Sequence, residues 1–137
     1  MSKPTATEWT PSRVRSFITS TLRAGSRRWP PKYSCLKAAY RETKINEASG
    51  RVAKHYECKK CKQLFTSTNV TVDHIVPVVG PEGFVSWDMF IERLFCPIKN
   101  LQCLCKPCHA LKTKKETVKR TKVNVSRKKQ NVLDQVV

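Results

Sequence analysis

Acidic residues, glycine and histidine are all scarce in this sequence, and each shortage narrows what the chain can be. Ten Asp and Glu stand against 27 Lys and Arg, leaving a formal charge of +17 over 137 residues. A field of that sign concentrates polyanions and speeds their association, so nucleic acid is the leading partner and an anionic membrane surface the second. Apolar residues make up 39% of the chain and only four positions are glycine, which sets up a modest core. Small cores are commonly closed by a metal or by disulfides. No apolar run reaches the roughly 20 residues a membrane-spanning helix needs. The start, Met1-Ser2-Lys3-Pro4-Thr5, also lacks the apolar stretch of a secretory signal. The expectation is a cytoplasmic chain with no membrane partner. In that reducing compartment seven cysteines read as metal ligands or buried thiols before they read as disulfides.

The length suits one domain with extensions, and the pattern of elements reads as α+β. The first few residues are expected to be disordered. Thr10-Pro11 then starts a helix, followed by Val14, Phe17, Ile18 and Leu22 at helical spacing, with Gly25 as a stop. The Arg27-Arg28-Trp29-Pro30-Pro31-Lys32 segment is expected to break any helix, because proline cannot donate a backbone hydrogen bond. A second short helix is expected from Ser34 to Arg41, and 42–54 reads as a polar connector. Residues 1–54 thus form a basic, mainly helical extension. Val70 to Val76 is β-branched and reads as a strand, and Pro77, Gly80 and Pro81 open a loop. Ser86 caps an amphipathic helix bearing Trp87, Phe90, Ile91, Leu94 and Phe95 as a core stripe. Asn100 to Leu104 reads as a second strand, leading to a basic helix from about Pro107. The domain proper is expected over 55–121, and 122–137 is expected to be a flexible basic tail.

Two C-x-x-C pairs, Cys58/Cys61 and Cys105/Cys108, are separated by 43 intervening residues. Each tight turn can aim two thiolates inward, and two such turns complete a tetrahedral sulfur site suited to structural zinc. Cys103 is an alternative to Cys105, since residues two apart on a strand share a face. Cys105 is preferred because it forms a C-x-x-C turn with Cys108. Cys35 and Cys96 lack partners at ligand spacing and read as core thiols. A closed four-sulfur site has no open position, so any catalysis must come from elsewhere.

Of the three histidines, His74 ends the first strand beside Asp73, and His109 directly follows Cys108. His55 reads as a surface residue. Taken singly, Asp73 could cap a turn and His74 could be a core histidine. Together, Asp73-His74-Ile75-Val76-Pro77, Asn100, and Cys105-x-x-Cys108-His109-x-x-Lys112-Thr113 resemble the motif of the HNH endonucleases, whose core is the ββα-metal finger. The resemblance spans His55 to Thr113. The small size and the basic Arg27–Lys32 fragment are also similar to HNH proteins of tailed bacteriophages, some of them homing endonucleases. The compartment implied is then the host bacterial cytoplasm.

The resemblance implies a metal-dependent nuclease that hydrolyses phosphodiester bonds of double-stranded DNA as a monomer or homodimer. His74 would be the general base, and Asp73 and His109 would hold one catalytic divalent cation, Mg²⁺ or Mn²⁺. Asn100 would hydrogen-bond the backbone and hold the loop after His74. Lys112, Lys114 and Lys115 would meet phosphates as point charges, and the basic Arg27 and Arg28 are expected to do the same. The principal rival is a non-catalytic zinc-ribbon protein that binds nucleic acid. An RNA-binding accessory is another, because Arg27, Arg28 and Trp29 could stack on unpaired bases. Trp29 is equally compatible with burial in the core.

Overall fold

The structure, a computed structural model, describes residues 8–136, with side chains through Gln130. The expected disorder of the first few residues falls on 1–7, outside the described residues. Among the described residues the fold is α+β, with four α-helices and two small antiparallel sheets. Helix α1 spans Pro11–Ser26, and the Thr10 hydroxyl accepts from the Arg13 amide at 3.2 Å. Its apolar row is largely unburied: Val14, Phe17 and Ile18 are exposed, and only Leu22 packs inward, against a cluster of Val78, Phe90 and Leu94.

Helix α2 spans Pro30–Ala39, which corrects the expected break at the two prolines. Pro30 and Pro31 occupy its first two positions, where the amide has no intrahelical partner and a fixed φ suits the helix. They start the helix instead of stopping it. Trp29, just ahead, is tucked inward: its indole Nε1 donates to Cys96 O at 2.8 Å and its ring meets Phe95 edge-on at 5.4 Å.

The stretch read as a polar connector is a β-hairpin. Strands β1 (Tyr40–Ile45) and β2 (Val52–Glu57) pair antiparallel, and β3 (Leu64–Thr66) adds to β2. All six residues of β1 are exposed, so no apolar alternation marks it in the sequence. It is held by its backbone ladder and by a turn in which Gly50, at φ 71°, donates to Asn46 O at 2.7 Å. An Arg41–Glu57 ion pair at 2.9 Å and an edge-on Tyr40–Tyr56 contact join the two strands. The 54/55 border drawn from sequence therefore falls inside β2. His55 is buried there, with Nδ1 2.9 Å from Ala53 O, and is not a surface residue.

Strand β4 (Val70–His74) pairs antiparallel with β5 (Leu101–Cys105), from Val70↔Cys105 to His74↔Leu101. Between them lies helix α3 (Trp87–Leu94), with Ser86 as N-cap. Phe90 and Leu94 are buried as expected, whereas Ile91 faces solvent. Helix α4 follows β5 without a loop and runs Lys106–Val136. Residues 122–136 continue this helix, in place of the flexible tail expected. After Pro107 the sequence contains neither Gly nor Pro, and good helix formers dominate, so nothing interrupts the backbone ladder. The core is small and divided, as the composition implies: Cys58, Leu104, Cys105 and Cys108 form one cluster, and Cys35, Cys96 and Leu101 another. No helix among the described residues is long and apolar enough to cross a membrane.

Candidate functional site

Cys58 and Cys61 sit on the turn between β2 and β3, and Cys105 and Cys108 at the junction of β5 and α4. Their four sulfurs all lie within 4.8 Å of one another. A tetrahedron with metal–sulfur bonds of about 2.3 Å has edges of about 3.8 Å. The Cys61–Cys105 Sγ separation is 3.8 Å, so the donor set and its spacing fit a metal such as zinc. Burial works to raise the Cys58 pKa, but backbone amides of Cys105, Cys61 and Lys60 aimed at its sulfur prevail and bring it to about 6. Those amides favour a thiolate before any ion arrives. The Cys108 thiol is pushed up to about 12, chiefly by sharing a hydrogen bond with Cys105. The crowding of Cys108 by its neighbouring thiols is of the kind that a cation would relieve.

Cys103 is not part of this cluster. It lies opposite Val72 in the β4–β5 ladder, and burial raises its thiol to about 11. Cys105 escapes the strict alternation of the strand because the chain turns into α4 at that residue. Cys35 and Cys96 are buried core thiols.

A second constellation lies where β4 faces the first turns of α4. Asp73 Oδ1 is 3.5 Å from His109 Nε2, and Asp73 Oδ2 is 2.9 Å from Lys112 Nζ. Gln102, paired with Asp73 across the ladder, donates to Oδ2 at 3.3 Å. Lys112 Nζ also donates to His74 O at 2.9 Å and is paired with Glu116. Burial acts to lower the Lys112 pKa, but its bonds with Glu116 and Asp73 outweigh this and raise it. The group is an ammonium at any pH of interest.

His74 is the last residue of β4, where the strand gives way to a bend. Its Nε2 is 3.0 Å from Leu94 O, at the end of α3. Since a carbonyl only accepts, Nε2 carries the proton and Nδ1 keeps its lone pair. Burial lowers the His74 pKa, and the charges of Lys32 and Arg23 act in the same direction. The imidazole is therefore neutral near pH 7. Asn100 lies just before β5 and clamps the bend that follows His74. Its Oδ1 accepts from Val76 N at 3.0 Å, its Nδ2 donates to Val76 O at 3.4 Å, and its carbonyl accepts from Ile75 N at 2.8 Å.

A cleft of about 270 Å³ opens over this constellation, lined by Asp73, His74, Lys112 and Glu116, with Arg23 from α1 and Arg120 from α4. Of the basic residues singled out in the sequence, Lys112 and Lys115 line clefts in this region, whereas Arg27, Arg28 and Lys114 are exposed and line none of those described. Arg23, Glu116 and Arg120 escaped the sequence reading. For the two on α4 a signal exists: His109, Lys112, Glu116 and Arg120 fall at i, i+3, i+7 and i+11, one face of a helix. Arg23 has no local signal, since it is brought there by tertiary packing: Leu22 on Val78, Phe90 and Leu94, and its own guanidinium over the Phe90 ring at 5.5 Å. No family model, no curated protein and no solved structure matches this chain.

Proposed function

We propose that this chain is an HNH-type endonuclease, a ββα-metal finger closed by structural zinc on Cys58, Cys61, Cys105 and Cys108, that hydrolyses phosphodiester bonds of double-stranded DNA. The observation that carries the proposal is the 3.5 Å approach of Asp73 Oδ1 and His109 Nε2 beside a neutral His74. A carboxylate oxygen and an imidazole nitrogen on adjoining elements are a donor pair suited to one divalent cation, Mg²⁺ or Mn²⁺. When bound there, such an ion supplies positive charge to the scissile phosphate and to the departing 3′ oxygen.

The remaining work falls to the chain itself. The tie from Nε2 to Leu94 O fixes the tautomer and orientation of His74, so Nδ1 receives the proton of the attacking water. Asn100 holds the bend after His74 through Val76, which keeps the base in register with the Asp73 carboxylate. Arg23 and Arg120, which both line the cleft, meet the phosphates flanking the scissile bond. The exposed Lys and Arg of α4 extend that contact along the duplex.

Supercoiled plasmid incubated with the zinc-loaded chain and Mg²⁺ or Mn²⁺ should be nicked or linearised. His74→Ala, purified identically, should lose at least about 100-fold of the rate, the scale of one general base, while keeping its zinc and its DNA affinity. Because the base acts unprotonated and its pKa is lowered, the acidic limb of the pH–rate profile should lie below the ordinary histidine value of about 6.5. Equal rates in wild type and His74→Ala would remove His74 from the mechanism.

One observation favours a second reading, a zinc-ribbon protein that binds nucleic acid without cutting it. Lys112 already neutralises Asp73, as it would in a purely structural ion pair. No cleavage by the wild-type chain under any divalent ion, with salt-sensitive DNA binding intact, would select this reading.

A further inference from the structure

The Lys112 ammonium sits in a cage of three oxygens: Asp73 Oδ2 at 2.9 Å, His74 O at 2.9 Å, and a Glu116 carboxylate oxygen in contact. Two carboxylates and a backbone carbonyl are also the hard donors that Mg²⁺ and Mn²⁺ select. An ammonium on Asp73 Oδ2 takes part of the carboxylate charge and repels a divalent ion held by Oδ1 and His109 Nε2. We propose that Lys112 is a built-in competitor for the divalent cation, weakening the Asp73–His109 cation pair until a nucleic-acid phosphate draws the ammonium out. This rests on the reading of Asp73 and His109 as the cation pair, and adds how that pair is kept weak.

The surroundings of Lys112 supply the second half of the device. Lys112 lines three adjoining clefts, of which the one over Asp73 and His74 is the first. The second, of about 280 Å³, carries Lys115, Lys119 and Arg120 against the single carboxylate of Glu116, and the third, of about 260 Å³, carries Lys59, Lys60 and Lys115. A long, unbranched side chain rooted between them has room to swing either way. While those clefts are empty of anions, their lysines repel an ammonium and hold it against Asp73 and Glu116. Once a phosphate occupies either cleft, the same lysines become part of a cationic cradle with a vacancy for one more charge. Nucleic acid and divalent ion then bind with positive coupling, and linkage makes the effect reciprocal. Free Mg²⁺ would find the site weak, and the charge needed for hydrolysis would assemble chiefly on a bound strand.

Binding of Mn²⁺ tests this without recourse to activity. Mn²⁺ is titrated into the zinc-loaded full chain at pH 7, with free Mn²⁺ read by its electron paramagnetic resonance signal. All proteins carry His74→Ala, so that added DNA stays intact. Lys112→Met should bind Mn²⁺ about 10-fold tighter than its Lys112 parent in the absence of DNA, within the roughly 5–150-fold span typical of coupled sites. A short DNA duplex should tighten Mn²⁺ binding by a similar factor in the parent and leave Lys112→Met unchanged. Asp73→Asn should abolish the binding in both backgrounds. Where Lys112→Met does not retain zinc and helix content, Lys112→Gln, which keeps a donor for His74 O, takes its place with the same expectation.

Equal Mn²⁺ affinity with and without the Lys112 ammonium, together with loss in Asp73→Asn, would overturn the competitor role and leave the cation pair standing. Absence of Mn²⁺ binding in every protein would overturn the cation pair and the competitor role together. Plasmid cleavage by the otherwise unaltered chain judges the nuclease reading separately.

Discussion

The two antiparallel units of this protein are built on opposite terms. The β1–β2 hairpin exposes every side chain of β1, and it stands on backbone hydrogen bonds, one glycine turn and a surface ion pair. The β4–β5 pair buries four of the five residues of β5 and is anchored through Cys105 and Cys108 to the sulfur cluster. Residues that could do chemistry gather only on the second unit. The proposed roles of Asp73, His74, Asn100 and His109 require relative positions held to a fraction of an ångström, and a strand locked from both ends supplies that where a solvated ribbon does not.

The largest expected effect breaks the anchored unit outright. Metal binding in small domains carries apparent free energies of about 10–16 kcal/mol, comparable with or above the whole stability of a domain. Chelation or Cys58→Ser should therefore unfold β4, β5 and the root of α4, seen as lost helix signal and lost zinc. Elemental analysis that finds no zinc in folded protein would refute the metal assignment.

A smaller effect measures the contrast between the units directly. Leu104, 2% exposed among the cysteines, should cost about 2–5 kcal/mol when changed to Ala. Val52→Ala, in the hairpin at 68% exposure, should cost about 0.5 kcal/mol or less. Urea melts of the two variants compare them, and equal losses would erase the distinction drawn here. Smallest of all, Arg41→Gln removes the Arg41–Glu57 pair, whose side chains are substantially exposed, and should change stability by about 0–1 kcal/mol. That difference should shrink further in high salt.

The same contrast explains what could be read from the sequence. The two C-x-x-C turns were legible because thiolate geometry requires that spacing, and the Ser86-capped helix because Phe90 and Leu94 are buried at helical period. The hairpin was not legible. A strand with no buried face has no period of two to detect, and Tyr40–Ile45 reads as polar coil. Pro30 and Pro31 misled because the penalty for proline applies to helix interiors and vanishes in the first turn. Burial of His55 and the approach of Arg23 to the cleft depend on which elements pack together, which no local pattern encodes. The positions of Asp73 and His109 could be proposed only jointly. The zinc-spaced cysteines fix one and the strand end fixes the other, and the 3.5 Å between them is a property of the fold.

The absence of a loop between β5 and α4 has a mechanical consequence. Thirty-one residues of helix make a rod roughly 46 Å long, pinned near one end where Cys108 joins the sulfur cluster. Such a rod is a lever with its fulcrum at the pin. A tilt of about 5° carries the far end about 4 Å, given a rise of about 1.5 Å per residue. His109 is one residue from the fulcrum and Lys112 four, so the same tilt moves them by about half an ångström or less. The far end of α4 can wander while the end that carries His109 and Lys112 stays still.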